Sequence, residues 1–486
     1  MWQISILILY SVSVFFVILF SFGQLALLIL FFSNKKKKTD VLPTRIFPPV
    51  TIQLPLYNER HVIERLLDAI ALIDYPRNKL QIQVLDDSTD DTRLLCLKKI
   101  KILKKQGLNI SHIGRSKRLG YKAGALQNGL LKANGEFIAI FDADFIPGPD
   151  FLIRVLPYFT QANIGLVQTR WGHLNAKQSW LTRVQELALN GHFMIDQQAR
   201  HQAGLFINFN GTAGIWRKSC IVDAGGWHDD TLTEDLDLSY RAQLRGWKLC
   251  YCPEVITPAE LPFLLNTIRT QQFRWIKGGI ETSKKIIGQL WQRKLTFPVK
   301  VFGSFHLLSN YIYLFILLSS ILSVPTMFIK NLTPQFQFFF KLYVFFFPVF
   351  LINLVYCFTT IWYEKKKINA ALAQLLQVFP MAILVSLGMS YHNSTAIFQG
   401  IIGKKTPFIR TPKFKSQQGE ETVLSSSYYI KKSFLQELPE IILFFYFLFA
   451  VAAGIYFRDF SFLPYHFILM GSFGLILYYA LVQSDV

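Results

Sequence analysis

The sequence predicts an α/β domain, built on an open and mostly parallel sheet, set between membrane-spanning helices. Three observations predict it. Residues 1–34 carry no charged side chain and are followed at once by Lys35-Lys36-Lys37-Lys38. Residues 50–260 alternate short apolar strands with helical patterns, the signature of strand–helix–strand units. Beyond residue 300, long and nearly uncharged blocks return at 301–329, 335–363, 368–390, 439–457 and 460–483.

Composition agrees. The 486 residues are 51% hydrophobic and only 17% charged, with 51 Lys+Arg against 31 Asp+Glu. Disorder, collagen-like repeats and a disulfide scaffold are excluded. A nucleic-acid partner would account for the net charge of +20 but not for 45 Phe gathered in uncharged blocks. The excess charge instead sits beside those blocks, with 4 Lys or Arg at 35–38, 5 at 284–300, 3 at 365–367, 5 at 404–415 and 2 at 431–432. Basic residues that flank a membrane span mark its cytoplasmic side.

The first block is long enough to cross a bilayer core, for which about 20 apolar residues suffice. It lacks the charged start and cleavage site of a signal peptide, so an uncleaved anchor is expected, with Met1 outside. Lys365-Lys366-Lys367 returns the chain to the cytoplasm. If 368–390 crossed the membrane, the basic stretch Lys404 to Lys415 would fall outside. This block is therefore expected to lie at the interface, broken near Pro380, with Ser390 to Ile402 as a second interface-lying helix. Five crossings result, with the C-terminus inside. The five cysteines show no CxxC pair, and thiols in a cytosolic block stay reduced.

Within the charged block, Val50–Leu56 reads as a strand and Glu59 to Leu72 as an amphipathic helix. A second strand at 81–85 ends in Asp86-Asp87. A helix at 91–105, a strand near 108–113 and a helix at 121–133 follow, and the strand at 137–141 ends in Asp142-Ala143-Asp144. In open sheets, ligands sit beyond the carboxyl ends of the strands, where both acidic clusters fall. A lone aspartate there is also an ordinary turn former, but two clusters at neighbouring strand ends are harder to assign to turns. Asp142-x-Asp144 offers two carboxylate oxygens from one loop, ligands suited to Mg²⁺ or Mn²⁺. Such an ion commonly bridges substrate phosphates, which suggests a nucleotide diphosphate donor. No GxxxxGK[ST] loop and no GxGxxG after the first strand are present, so neither a P-loop nucleotidase nor a dinucleotide enzyme is expected.

A third acidic element, Thr233-Glu234-Asp235-Leu236-Asp237, opens a helix that runs to about Arg245. Acids there also complement the positive end of a helix. Gln271-Gln272-Phe273-Arg274-Trp275 lies in a helix just before the membrane. An arginine fork can hold a pyrophosphate, and an indole can stack a sugar ring. Arg and Trp are equally common at bilayer edges.

Together, Asp86-Asp87, Asp142-Ala143-Asp144, Thr233-Glu234-Asp235 and Gln271-Gln272-x-Arg274-Trp275 resemble, in content and order, the processive family 2 glycosyltransferases, and most of all the cellulose synthase-like mannan and glucan synthases. Pro55-Leu56-Tyr57-Asn58-Glu59, Lys122-Ala123-Gly124-Ala125-Leu126, Phe209-Asn210-Gly211-Thr212-Ala213-Gly214 and Gly388-Met389-Ser390 extend the likeness, which runs from about 50 to 415. It implies a cytosolic GT-A (Rossmann-like, nucleotide-sugar) domain inserted between transmembrane helices, and an inverting mechanism.

Carried over residue by residue, Asp235 would be the general base. Asp86 and Asp87 would meet the nucleoside, Asp142 and Asp144 would hold the cation, and Lys122 and Arg274 would face the diphosphate. Trp275 would stack the acceptor, and Glu59, Glu234, Gln271 and Gln272 would complete the substrate site. Phe408-x-x-Thr411-Pro412-Lys413 resembles a gating loop that closes over bound nucleotide, with Thr411 and Lys413 contacting it. The loop departs from the family pattern at Arg410 and Pro412, where Val is usual.

The expected organisation is an anchor at 1–34, the GT-A domain at 35–280, an amphipathic interfacial helix at 281–300 and two transmembrane helices at 301–363. Interfacial helices at 364–403, the gating-loop-like segment at 404–438 and two further transmembrane helices at 439–486 complete it. The expected partners are a nucleotide-sugar donor, a growing glycan or glycolipid acceptor, the lipid bilayer and an accessory export protein, with no nucleic acid. The leading expectation is synthesis and export of a β-glycan from UDP-glucose or GDP-mannose. A transferase adding one sugar to a diacylglycerol or ceramide is the alternative. A transporter is disfavoured, because the apolar blocks are nearly free of the charges that mark ion pathways.

Overall fold

The computed structural model describes residues 1–33, 47–336, 340, 346–406, 413 and 434–483. Seven strands form one sheet: β1 (Val50–Leu56), β2 (Leu80–Asp86), β3 (Ile110–Gly114), β4 (Phe137–Ile140), β5 (Ile164–His173), β6 (Gly214–Arg217) and β7 (Lys248–Ala259). Their order is β3-β2-β1-β4-β6-β5-β7. The first four strands are parallel, β6 runs antiparallel to both of its neighbours, and β5 pairs parallel with β7.

β1 and β2 are buried along nearly their whole length, because helices cover both faces of a parallel sheet. Their polar members meet across the pair: buried Gln53 donates to Gln83 at 3.0 Å, and Thr51 to Gln81 at 2.8 Å. The expected strands and helices of the first half are present to within a few residues at most ends. The largest difference is the first helix, which begins at Ile63 and not at Glu59. Asn58 has φ +57°, and its backbone N–H donates to Ser88 while its side chain accepts from the Thr89 N–H, at 2.9 Å each. This left-handed link ties the ends of β1 and β2 together and keeps Glu59 out of the helix. The strand order turns back between β1 and β4, so a crevice opens at their carboxyl ends.

Six of the described helices are long and apolar enough to cross a membrane: Trp2–Ser33, Phe297–Leu332, Phe347–Lys365, Ile368–Gly388, Leu438–Tyr456 and Leu463–Val482. The chain is thus a membrane protein with its α/β domain between apolar helices. Two expectations need correction. Pro380 does not break its segment, since Ile368–Gly388 is one continuous helix. Proline removes a single backbone donor, and packed apolar helices absorb that loss. Nor does a separate helix begin at 281, because one amphipathic helix runs from Leu265 to Gln292 and carries the Gln-Gln-x-Arg-Trp element.

By length and composition Ile368–Gly388 is a sixth candidate span where five crossings were expected. Both of its ends nevertheless meet the α/β domain. Ala371 and Leu375 pack with Val184 and Leu187 of the helix Trp180–Gly191. Met389, just past its end, packs with Leu181, Leu265 and Ile268.

A buried ionic cluster ties the domain to the apolar helices. Arg269 donates from Nη1 to both Glu437 oxygens, at 2.7 and 2.8 Å, and from Nη2 to Glu440 at 3.0 Å. All three residues are buried.

Candidate active site

The loops beyond β1, β2 and β4 line one cleft, closed on its far side by the helices Glu234–Leu244 and Leu265–Gln292. Glu59, Asp87, Lys122, Asp142, Asp144, Glu234, Asp235, Gln271, Arg274, Trp275 and Lys413 all face it. Gln271, Arg274 and Trp275 stand three and four positions apart and so share a helix face. Gln272, next along the helix, is not among the lining residues. Asp86 lies behind Asp87 and lines the adjoining groove. Thr411 and the rest of the gating-loop-like motif, apart from Lys413, lie outside the described residues.

At the β2 end of the cleft, Arg115 grips both Asp87 oxygens, with Nε at 3.0 Å. Asp86 accepts from the Ser88 N–H at 2.9 Å and meets His112 Nε2 at 2.8 Å. Burial pushes its pKa up, but these hydrogen bonds outweigh it and hold the carboxyl below its usual value. Arg118 lies over the Tyr57 ring, 3.3 Å from the centroid.

In the middle of the cleft, Lys122 Nζ lies 2.7 Å from Asp142 and 4.0 Å from Glu234, and donates to the Gly211 carbonyl at 2.9 Å. Burial lowers the lysine pKa, while the carboxylates of Asp142 and Glu234 raise it further than burial lowers it. Asp144, 4% exposed, is held by the Lys413 ammonium. Burial still leaves its pKa raised.

Asp235 opens its helix, and its pKa is pushed up to about 7, first by burial and then by the like charge of Glu234. Gly211 faces it with φ +82°, and a methyl group there would lie 3.0 Å from Asp235 Oδ2. Only glycine combines that backbone conformation with that approach.

The cleft also contains residues that sequence reasoning did not select: Tyr57, Arg118, Trp171, His173, Leu189 and Asn210. Tyr57, Asn210 and Gly211 stood inside quoted motifs without an assigned role. Arg118, Trp171, His173 and Leu189 carry no local pattern, and only the fold brings them there. The cluster His228, Asp230 and Asp237 could hold a metal by spacing. Lys285 already fills it, at 2.8 Å from Asp230 and 2.9 Å from Asp237.

An open α/β sheet whose strand ends carry acidic loops, faced by a buried carboxyl group, is the plan of the GT-A fold. Residues 48–278 match the family described as "Glycosyltransferase like family 2". The chain is 44% identical over 249 residues to glucomannan 4-beta-mannosyltransferase 7 of Arabidopsis thaliana, covering 50% of this chain and 45% of that relative. To probable glucomannan 4-beta-mannosyltransferase 3 of Oryza sativa subsp. japonica it is 37% identical over 361 residues, 73% of this chain and 63% of the relative. It therefore spans about half to under two thirds of the relatives' length. A solved mannosyltransferase from Pyrobaculum calidifontis, in complex with GDP-Man and Mn²⁺, shares the fold with TM-score 0.55 and 19% identity, covering 83% of this chain and all of that one.

Proposed function

We propose that the protein is an inverting, membrane-embedded glycosyltransferase that polymerises a β-mannan-type glycan from GDP-mannose and passes it through its own helices. The observation that carries this reading is Asp235, a buried carboxyl poised near neutrality at a helix start, facing a cleft that also holds Arg274 and Trp275. A base acts best when its pKa lies near the working pH. Asp235 takes the proton of the acceptor hydroxyl as that oxygen attacks C1 of the donor sugar. Lys122 and Arg274 face the charge left on the departing diphosphate. Trp275 stacks the acceptor, and Arg115 and Arg118 hold Asp87 and Tyr57 in place for the nucleoside. The mannosyl donor is supported by the names of the relatives.

Asp142 and Asp144 offer the hard oxygen ligands that Mg²⁺ or Mn²⁺ requires; each now meets a lysine ammonium, which the ion would displace or share the carboxylates with. A bound ion would supply further charge compensation at the diphosphate. EDTA is expected to reduce transfer to background and added Mn²⁺ or Mg²⁺ to restore it; full activity in EDTA excludes the metal role.

The α/β domain faces the cytoplasm in this reading, with Met1 outside. Ile368–Gly388 lies along the membrane surface, supported by the contacts of both its ends with the domain. Five crossings then suffice. Incubating membranes that contain the protein with labelled GDP-mannose, UDP-glucose and other nucleotide sugars, followed by linkage analysis, tests the proposal. A long β-linked mannose polymer is expected, and a single sugar on lipid would overturn polymerisation.

A further inference from the structure

The cleft wall beside Asp235 is held by a polar network to which no role has yet been given. The helix Trp180–Gly191 runs into a π-helical turn, His192–Gln197, before the short helix Gln198–Gln202. Widened turns of this kind are rare and concentrate at functional sites. Two side chains of this turn reach the loop that carries Asn210 and Gly211. Gln197 Nε2 lies 2.8 Å from the Asn208 carbonyl and 2.8 Å from Asn210 Oδ1, and Asn210 Nδ2 lies 2.9 Å from His192 Nε2.

The direction of each bond follows from one fixed point. A backbone carbonyl can only accept, so the Gln197 atom facing Asn208 is the donating nitrogen. That same nitrogen meets Asn210, which must therefore present its oxygen. The amide nitrogen of Asn210 is then the atom turned to His192, and it donates to Nε2. An imidazole nitrogen that accepts carries no proton, so His192 is neutral with its hydrogen on Nδ1. Burial, and after it the charge of Arg200, holds its pKa down at about 4, in the same sense.

We propose that His192 is a positioning residue for sugar transfer. Its unprotonated Nε2 takes one N–H of Asn210 and leaves the other, which has no protein partner among the described residues, for the cleft that Asn210 lines. There it donates to a hydroxyl of the acceptor sugar and orients that sugar for Asp235. The neighbouring Gly211 already approaches the base closely. A donating group in place of His192 Nε2 would oppose the Asn210 amide and turn it away. This inference rests on the glycosyltransferase reading above.

The test uses the full chain in its membrane with His192→Phe, His192→Gln and Asn210→Ala. Glutamine places an accepting oxygen near the position of Nε2, whereas phenylalanine keeps the ring and removes the acceptor. His192→Phe and Asn210→Ala are expected to lower kcat about tenfold, the factor that one ordinary hydrogen bond gives. Donor KM should change less than about twofold, and His192→Gln should recover most of the turnover. Equal losses in His192→Phe and His192→Gln, or a loss carried by donor KM, would overturn the proposal.

A second readout needs no turnover. The ¹⁵N resonances of His192, identified in solubilised protein by comparison with His192→Gln, should report a neutral Nδ1–H ring from pH 5 to 8. An imidazolium at pH 6 would overturn the assignment. If the unaltered protein transfers no sugar from any nucleotide donor, the glycosyltransferase reading fails and the ring spectrum still decides the state of His192.

Discussion

Asp235→Asn is expected to lower sugar transfer by at least about a thousandfold, within the range that general-base removal gives, while nucleotide-sugar binding persists. The amide keeps the shape of the side chain and its acceptor for the Leu236 N–H, at 2.8 Å in the native protein, but cannot take a proton. Activity of the native protein should rise with pH through an apparent pKa near 7, because the base works only when ionised. Stability should move the opposite way. An aspartyl group in the unfolded chain ionises near 3.9, so between about pH 4 and 7 the folded chain retains a proton that the unfolded chain has released. Raising pH across that window removes stability, and the loss is complete above the folded pKa. Asp235→Asn should therefore unfold at a higher temperature than the native protein at pH 8. A variant with native turnover would defeat the base assignment.

The second large effect is on stability. Arg269→Met is expected to destabilise the protein by about 3–5 kcal/mol, the usual result of stripping one partner from a buried ion pair. It would leave Glu437 and Glu440 buried with no guanidinium at the junction of the domain and the apolar helices. The triple variant Arg269→Met, Glu437→Gln, Glu440→Gln should recover most of that loss, since no uncompensated charge remains. Thermal unfolding in detergent measures both. A triple variant no more stable than Arg269→Met would show that packing, not charge, makes this junction.

Much of the site was legible because its chemistry is local in the chain. Asp86-Asp87 and Asp142-Ala143-Asp144 follow apolar strands, and a strand end has one place in an open sheet. Gln271, Arg274 and Trp275 share a helical face by spacing alone. Gln272 sat in the same motif, but a neighbouring position on a helix points elsewhere. The later strands were harder to read. β5, β6 and β7 carry no local sign of which partners they pair with, and β6 runs against both. Arg115 and Arg118 look like any loop arginines until the fold brings them to Asp87 and Tyr57.

The sequence by itself determined the class of this protein: periodicity and charge runs separate an α/β domain from apolar helices, and acidic clusters at strand ends mark the candidate site. These are properties of neighbouring residues, and side-chain type and spacing suffice to express them. Tertiary structure alone decided what each group is at work. The Asp235 carboxyl is held near neutrality only because the fold buries it beside Glu234. Likewise, Pro380 fails to end a helix because packed neighbours hold it, and His192 is fixed as an acceptor by a carbonyl 16 residues further along the chain. Burial and pairing depend on residues distant in the chain, and no local pattern encodes them.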